Sequence, residues 1–471
     1  MTFRIKRLLL GLTTLLGLLM ASPAVAQTIT PEELWQQVVN NHPIAQQALL
    51  LQQQAEQDVR MARAPFDPKF YADHQAKQFG GKDYYNIGEG GVKWQTRWGI
   101  DLKAAYDWTQ PDGLYLNPER TIPAGGQVLL GVEIPILQGL LFDQDRNALQ
   151  QAFAGKALSL ALADGLRNEL YLQTWKTYWD WSYAWHARAL AAEARNYSLE
   201  RLNGIRSGHF AGDYPAIDTL EAFLQWQSWD VEVQEAQLQL IHTEAALQNL
   251  WWNDQGQPIA WNPNWQPVHP DLLLEQPALD TLQSLLTGHP ALVAYQRQLD
   301  QLQLERRWKA EQYKPELTFQ YNLLGNQFDL NPDDAPGWQN LLTDNFKWGF
   351  TFSQPLFLRK ARAGVALTDI KIAQTNWKLA EKQQNLQTKL NAYWQSWQTR
   401  SQQLNTVSDM VANYQSLLEA EQVKFNLGES SVFLLNSRQQ KLLQAQLKFL
   451  KAQAELQKNA GALWYAAGRS R

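Results

Sequence analysis

Two stretches of the sequence, residues 139–206 and 360–427, run for 68 residues each without a proline. Both are rich in Gln, Asn, Ala and Leu, as in "EKQQNLQTKLNAYWQSWQ", and both read as helix. Gly139 and Gly204 lie near the ends of the first and Gly155 and Gly165 inside it, while Gly364 lies near the start of the second. Isolated glycines weaken a helix without ending it. At 1.5 Å per residue each helix is a rod of roughly 100 Å. A helix of that length has no place inside a compact globule, and it points to a stalk, a coiled coil or a helical barrel. Return segments, 217–252 and 432–468, follow Gly208 and Gly428.

The long helices belong to a unit that is written twice. His42-Pro43 and His289-Pro290 are separated by 247 positions, and Pro68 and Pro315 keep that offset. Pro135 and Pro355 are separated by 220 positions, as are Gly208 and Gly428. The first copy therefore carries 27 additional residues between Pro68 and Pro135. A third pair, His269-Pro270, has no counterpart at either offset. Four landmarks at two fixed offsets indicate an internal duplication, with a first structural repeat at 27–260 and a second at 261–471. Each repeat reads as helix, strands, long helix, turn and helix. Pro43 stands at the first position of a helix over 43–64, which Pro65 and Pro68 end. His42 and His289, each before a proline and so pushed out of the α region, read as junction residues rather than ligands.

Strands are expected within 68–136 and within 316–358. "LTFQYNL" alternates Leu317, Phe319, Tyr321 and Leu323 against polar neighbours, and "FKWGFTFS" alternates Phe346, Trp348, Phe350 and Phe352 against Lys347, Gly349, Thr351 and Ser353. "IDLKAAYDW" and "VLLGVEI" do the same in the first half. Such strands suit a sandwich with its apolar face inward, and equally a barrel with its apolar face to lipid and its polar face to water.

The N-terminus bears on that choice. Arg4, Lys6 and Arg7 precede an apolar run from Leu8 to Met20, and Ala24-x-Ala26 follows as a cleavage site, so residues 1–26 read as a secretory signal peptide. Beyond it no run of 18 apolar residues occurs, so a membrane crossing would have to be made by β-strands in a closed barrel. The 21 Trp residues favour a chain with a membrane–water interface, with large aromatic cores as the alternative. Two to four strands per half cannot close a wide pore in one chain, so a barrel would be shared between subunits.

Other classes of function find no support. The net charge of −4 argues against nucleic acid, and the absence of Cys removes disulfides and thiolate chemistry. None of the seven His forms a His-x-x-x-His pair, and there is no phosphate-binding loop or nucleophile elbow. No catalytic residue, metal site or cofactor is expected, and the chain is not expected to be an enzyme.

Specific segments resemble the TolC family of outer-membrane efflux proteins. "NNHPIAQQALLLQQQAEQ" is similar to the start of that family's first helix, and "SQPLFLRKARAGVAL" to its exit from the barrel into the descending helix. "EAEQVKFNLGESSVFLLNSRQQKLLQAQ" and "RSGHFAGDYPAIDTLEA" resemble its two periplasmic turns. The resemblance implies an α+β membrane protein: a homotrimer whose β-barrel, usually of twelve strands with four from each protomer, continues into a long periplasmic α-helical barrel. It implies a place in the cell outer membrane, in contact with its lipid, and two kinds of partner: a periplasmic adaptor (membrane fusion) protein and an inner-membrane pump or ABC exporter. The implied function is a passive conduit for tripartite efflux or type I secretion; a non-conducting, periplasm-spanning stalk or tether is the alternative.

By the same resemblance, the entrance at the periplasmic tip would involve Gly208, Asp213, Asp218, Phe425, Gly428, Asn436 and Ser437. The sequence departs from the family in two places. "GGKDYYNIGEGGVKWQTRWG", within the 27 additional residues, is either an extra hairpin or an extended outer loop. The stretch Phe433–Ser437 has no carboxylate where the family often carries a ring of Asp. Asp218 is the remaining acidic candidate, as a ring of three that favours cations or as the N-cap of the returning helix.

Overall fold

The computed structural model describes residues 27–109, 122, 126–271, 278–325 and 345–468. The expected signal peptide, 1–26, lies outside the described residues. In chain order the elements are β1 (Gln27–Ile29), α1 (Pro31–Asn41), α2 (Pro43–Met61), a 3₁₀ turn (Ala64–Phe66), β2 (Lys69–Phe79), β3 (Lys82–Gln95), β4 (Asp101–Thr109) and β5 (Gln127–Pro135). There follow α3 (Gln144–Ala211), α4 (Ala216–Gln248), β6 (Trp265–Pro267), α5 (Leu279–Leu286), α6 (Pro290–Glu311), β7 (Glu316–Gly325), β8 (Phe346–Ser353), α7 (Arg359–Asn426) and α8 (Val432–Ala466). Helix, strands, 68-residue helix and a return helix of 33 or 35 residues thus occur in that order twice.

The helix starts have local causes. Thr30 accepts from the Glu33 amide at 3.1 Å while Glu33 accepts from the Thr30 amide at 2.9 Å, a reciprocal capping box for α1. His42 is the junction residue expected. Its amide donates to Val38 O at the end of α1, its carbonyl accepts from Gln46 N–H at 3.0 Å, and ring Nδ1 accepts from Ile44 N–H at 3.2 Å. Burial holds its pKa below the usual 6.5 despite a hydrogen bond to the Asn249 backbone, which keeps Nδ1 an acceptor.

The first long helix is displaced from its expected span. It begins at Gln144 rather than 139, because Gly139 adopts φ +89° in the preceding loop. Asp143 then caps the helix, accepting from the Arg146 amide at 2.7 Å. At the far end it runs through Gly204 and Gly208 to Ala211.

The chain forms two compact units. One comprises residues up to Leu49, Ala163–Pro290 and Gln383–Arg471. Its core is aromatic: Trp179, Trp181, Tyr171 and Tyr178 are fully buried, with Trp35, Trp175, Trp251 and Trp265 packed beside them. Tyr178 Oη donates to Ile29 O at 2.7 Å and accepts from Val268 N–H at 3.0 Å, so it ties α3 to β1 and to the segment after β6. β1 and β6 pair in parallel. Most of the chain's tryptophans therefore do core packing, whereas Trp94, Trp108 and Trp348 lie on β3, β4 and β8. The composition favoured a membrane interface because an indole suits both places.

Gly461 on α8 lies against the Trp175 ring of α3. A Cβ there would overlap the Trp175 ring, whose Nε1 donates to Gln457 O at 2.7 Å. Gly461→Ala is expected to destabilise the unit by about 1–3 kcal/mol through overpacking. Combined with Trp175→Leu its cost should shrink, which a double-mutant cycle read by circular dichroism would measure.

The other unit comprises Leu50–Leu162 and Ala291–Lys382. It holds a six-stranded antiparallel sheet in the order β2-β3-β4-β5-β7-β8. The additional residues of the first half form a hairpin: β3 occupies most of "GGKDYYNIGEGGVKWQTRWG" and turns into β4 through Thr96–Gly99. The sheet therefore has six strands, where the resemblance implied four. Among the described residues no helix is long and apolar enough to cross a membrane.

Candidate functional site at the hairpin turns and on the sheet

The two helical hairpins end in the same backbone motif. At the end of α3, Gly212 N–H donates to His209 O at 3.0 Å and Asp213 N–H to Gly208 O at 2.8 Å. At the end of α7, Gly428 N–H donates to Phe425 O at 3.0 Å and Glu429 N–H to Lys424 O at 2.9 Å. Both are Schellman turns, with Gly212 at φ +90° and Gly428 at φ +76° supplying the left-handed residue. The turn glycine that matches Gly428 is thus Gly212. Gly208 is the helical residue four positions earlier, and the 220-residue offset pairs it with Gly428 without structural equivalence. Its lack of a side chain serves another purpose, since a Cβ there would strike the Tyr214 ring.

The remaining tip candidates divide between the core and the surface. Phe425 stacks on Tyr214, with centroids 6.2 Å apart and planes 2° from parallel. Both pack against a small core of Leu202, Ile205, Ala222 and Val432. Asn436 is buried, and its Oδ1 accepts from Arg201 at 2.8 Å. Ser437 is partly exposed beside it, and Asp213 is exposed in the turn. Asp218 does not cap the returning helix: the N-cap is Pro215 and no side chain caps there. Pro215 starts the helix by its own fixed φ, which leaves Asp218 in the first turn of α4, where its charge favours the helix dipole. At the second turn Ser431 is the cap, accepting from Leu434 N–H at 3.3 Å.

A further group at this turn was not singled out from the sequence. Glu421 accepts from Ser430 Oγ at 2.5 Å and from Arg438 Nε at 3.3 Å, joining α7, the turn and α8. The Ser430 hydrogen bond, then Arg438, hold its carboxyl below the usual 4.5. Because the folded pKa is depressed, the contribution is complete above the ordinary value and disappears as pH falls through the folded one. Glu421→Gln is expected to speed amide hydrogen exchange at Gly428–Ser431 at neutral pH. Acidifying the parent chain should open the same turn, with the change confined to pH values below the ordinary carboxylate range. Unchanged exchange in the variant would show that the clip does not hold the turn. No i,i+3 or i,i+4 rule covers a contact nine residues apart through a turn, so only the folded turn reveals this cluster.

Around the turns several large apolar side chains are exposed. Phe210 is 90% exposed, and Ile217, Leu427 and Phe433 are also exposed.

The sheet sorts its side chains by face. The register aligns Phe346, Trp348, Phe350 and Phe352 on β8 with Leu323, Tyr321, Phe319 and Leu317 on β7. The row continues through Leu130, Val132 and Ile134 on β5, Leu102 on β4, Trp94 and Val92 on β3 and Phe70 on β2. Phe350 is 67% exposed and Phe70 81%, so this apolar face is open rather than folded into a sandwich. The opposite face carries Lys69, Lys93, Lys103 and Lys347 among Glu89, Asp101, Asp107 and Glu133. Lys103 pairs with Glu89 at 2.7 Å. Among the described residues no group of three His, Cys, Asp or Glu is arranged to hold a metal ion.

No protein-family model matches the chain, and no curated protein matches it in sequence. Solved structures do match. The CmeC outer membrane channel of Campylobacter jejuni superposes with a TM-score of 0.65 at 13% identity, covering 93% of this chain and 85% of that one. The open state of the MtrE outer membrane channel of Neisseria gonorrhoeae gives 0.66 at 15%, covering 93% and 89%. The outer membrane protein VceC of Vibrio cholerae gives 0.65 at 13%, covering 93% and 96%. The chain has the fold of these outer-membrane channels. An antiparallel sheet and two long helical hairpins are what the TolC-like reading of the sequence expected.

Proposed function

We propose that this chain is the outer-membrane channel subunit of a tripartite efflux or type I secretion system, acting as a homotrimer and as a passive conduit from periplasm to exterior. The observation that carries this reading is the six-stranded antiparallel sheet with an open aromatic face and a charged opposite face. In a bilayer such a sheet is stable only in a closed barrel, with aromatic side chains toward lipid and charges toward a water-filled lumen. Residues 1–26 then direct export, and the two structural repeats, 27–260 and 261–471, each supply strands and one long hairpin. The exposed apolar side chains at Phe210, Ile217, Leu427 and Phe433 are the surface offered to a periplasmic adaptor protein, through which an inner-membrane pump or ABC exporter supplies the energy.

Deletion of the gene in its host tests this reading. Loss of export of the cargo of its partner pump, restored by the wild-type gene, is the expected result. Normal export with the envelope weakened instead would favour the stalk, a tether that spans the periplasm and conducts nothing.

A further inference from the structure

The sheet has two open edges among the described residues, β2 and β8. Both edge strands are exposed along nearly their whole length, whereas Ala105, Val128 and Leu129 on the central strands are buried. β8 offers its edge without a proline and with a single charge, Lys347, the kind of edge that pairs with another strand. The two edges also suit one another. Every neighbouring pair in the sheet is antiparallel and the strand number is even. β8 of one copy therefore meets β2 of the next in antiparallel sense, with no change of direction at the seam.

The added hairpin is built as part of this wall. β2 and β3 pair along eleven residue positions and β3 and β4 along nine. The apolar face continues across β3 even where that strand carries glycine. Gly88 and Gly90 leave the space in which the Trp108 ring lies, since a Cβ on Gly88 would overlap it and one on Gly90 would approach Trp108 Cζ3 at 3.3 Å. An aromatic ring laid across glycines is a device for holding register in a curved sheet. A hairpin that merely formed an outer loop would have no use for it.

We infer that three copies of this sheet close edge to edge, β8 to β2, into a barrel of eighteen strands rather than the twelve usual in the family. The inference rests on the trimeric conduit proposed above. With strands 4.8 Å apart and tilted about 40°, eighteen strands enclose a backbone diameter of about 36 Å and twelve about 24 Å. The larger barrel has room for a water-filled lumen lined by the Lys and Asp/Glu face.

The absence of native Cys allows a direct test by paired cysteines and a short bismaleimide on the detergent-solubilised oligomer. Tyr71→Cys and Gln75→Cys on β2, each combined with Thr351→Cys on β8, sample two heights of the proposed seam. Lys103→Cys on β4 with Thr351→Cys samples the seam of a twelve-stranded barrel that leaves the hairpin out. All four positions lie on the polar face. Light scattering gives the copy number, and a retained β-sheet signal in circular dichroism shows that each variant is folded; either β2 position can carry the test if the other fails. A trimer in which a β2 pair links to covalent dimers and trimers is expected. The Lys103 pair should yield about tenfold less, because three strand spacings of 4.8 Å separate it from the next β8. Linking through Lys103 alone, or no linking in a folded trimer, overturns the eighteen-stranded barrel and leaves the conduit standing. A dimer linked through β2 overturns it as well, since two copies make twelve strands. A folded chain that is only monomeric overturns both readings.

Discussion

Trp179→Ala is expected to destabilise the helical unit by about 3–5 kcal/mol, the range for removing a large aromatic from a packed core. Trp179 is fully buried on α3 and meets Tyr178 edge-on at 5.1 Å and Trp175 at 6.0 Å. Its loss leaves a cavity between rings whose neighbours are also fixed by hydrogen bonds, Tyr178 to Ile29 and Val268, and Trp175 to Gln457. Those bonds limit how far the core can collapse to fill the space. Trp179→Phe keeps most of the volume and should cost clearly less. Urea unfolding of the solubilised protein, followed by circular dichroism at a helical wavelength, reads both. An alanine variant as stable as the parent would mean that this aromatic core does not hold the unit together.

The second large effect concerns the two faces of β8. Phe350→Lys should weaken the assembled barrel by about 2–4 kcal/mol, the cost of a cation on a lipid-facing position near the bilayer middle. Thr351→Lys, one residue along and on the opposite face, should be close to neutral, since it joins Lys347 on the charged side. The contrast between adjacent residues removes any general effect of added charge on the strand. Folding into lipid vesicles and urea titration of the folded fraction give both numbers. Equal costs at the two positions would contradict an aromatic face turned to lipid. A large cost at Thr351 alone would reverse the assignment of faces.

Much of this architecture was legible because its signals are periodic. Length without proline revealed the two rods, and alternation revealed β4, β5, β7 and β8 to within a residue or two. The edges were less legible. A capping Asp, Asp143, and a left-handed glycine, Gly139, set the first rod five residues later than composition suggested. At the turn Gly208 drew attention as a glycine at a repeated offset, but only backbone dihedrals distinguish it from Gly212, which makes the turn. β2 and β3 were hidden for a different reason: "KFYADHQAKQF" places His74 and small residues on its apolar face, and β3 spends Gly88 and Gly90 making room for a ring from the next strand. The tryptophan count says little about where the rings lie, because an indole serves a core as readily as an interface, and most of them pack in cores here. Of the candidate site, Phe425 and Asn436 lie in the packed tip, while their partners Tyr214 and Arg201 come from segments distant in sequence and the Glu421 clip closes only through the folded turn.

A conduit, unlike a tether, conducts ions once it is assembled in a membrane. Purified oligomers inserted into a planar lipid bilayer from one side, at the single-molecule level, test it most directly. Discrete, reproducible conductance steps that appear with each insertion and are absent from heat-dissociated protein are the predicted result. Oligomers shown to be inserted in the bilayer, yet leaving its current at baseline across the voltage range, would contradict the account.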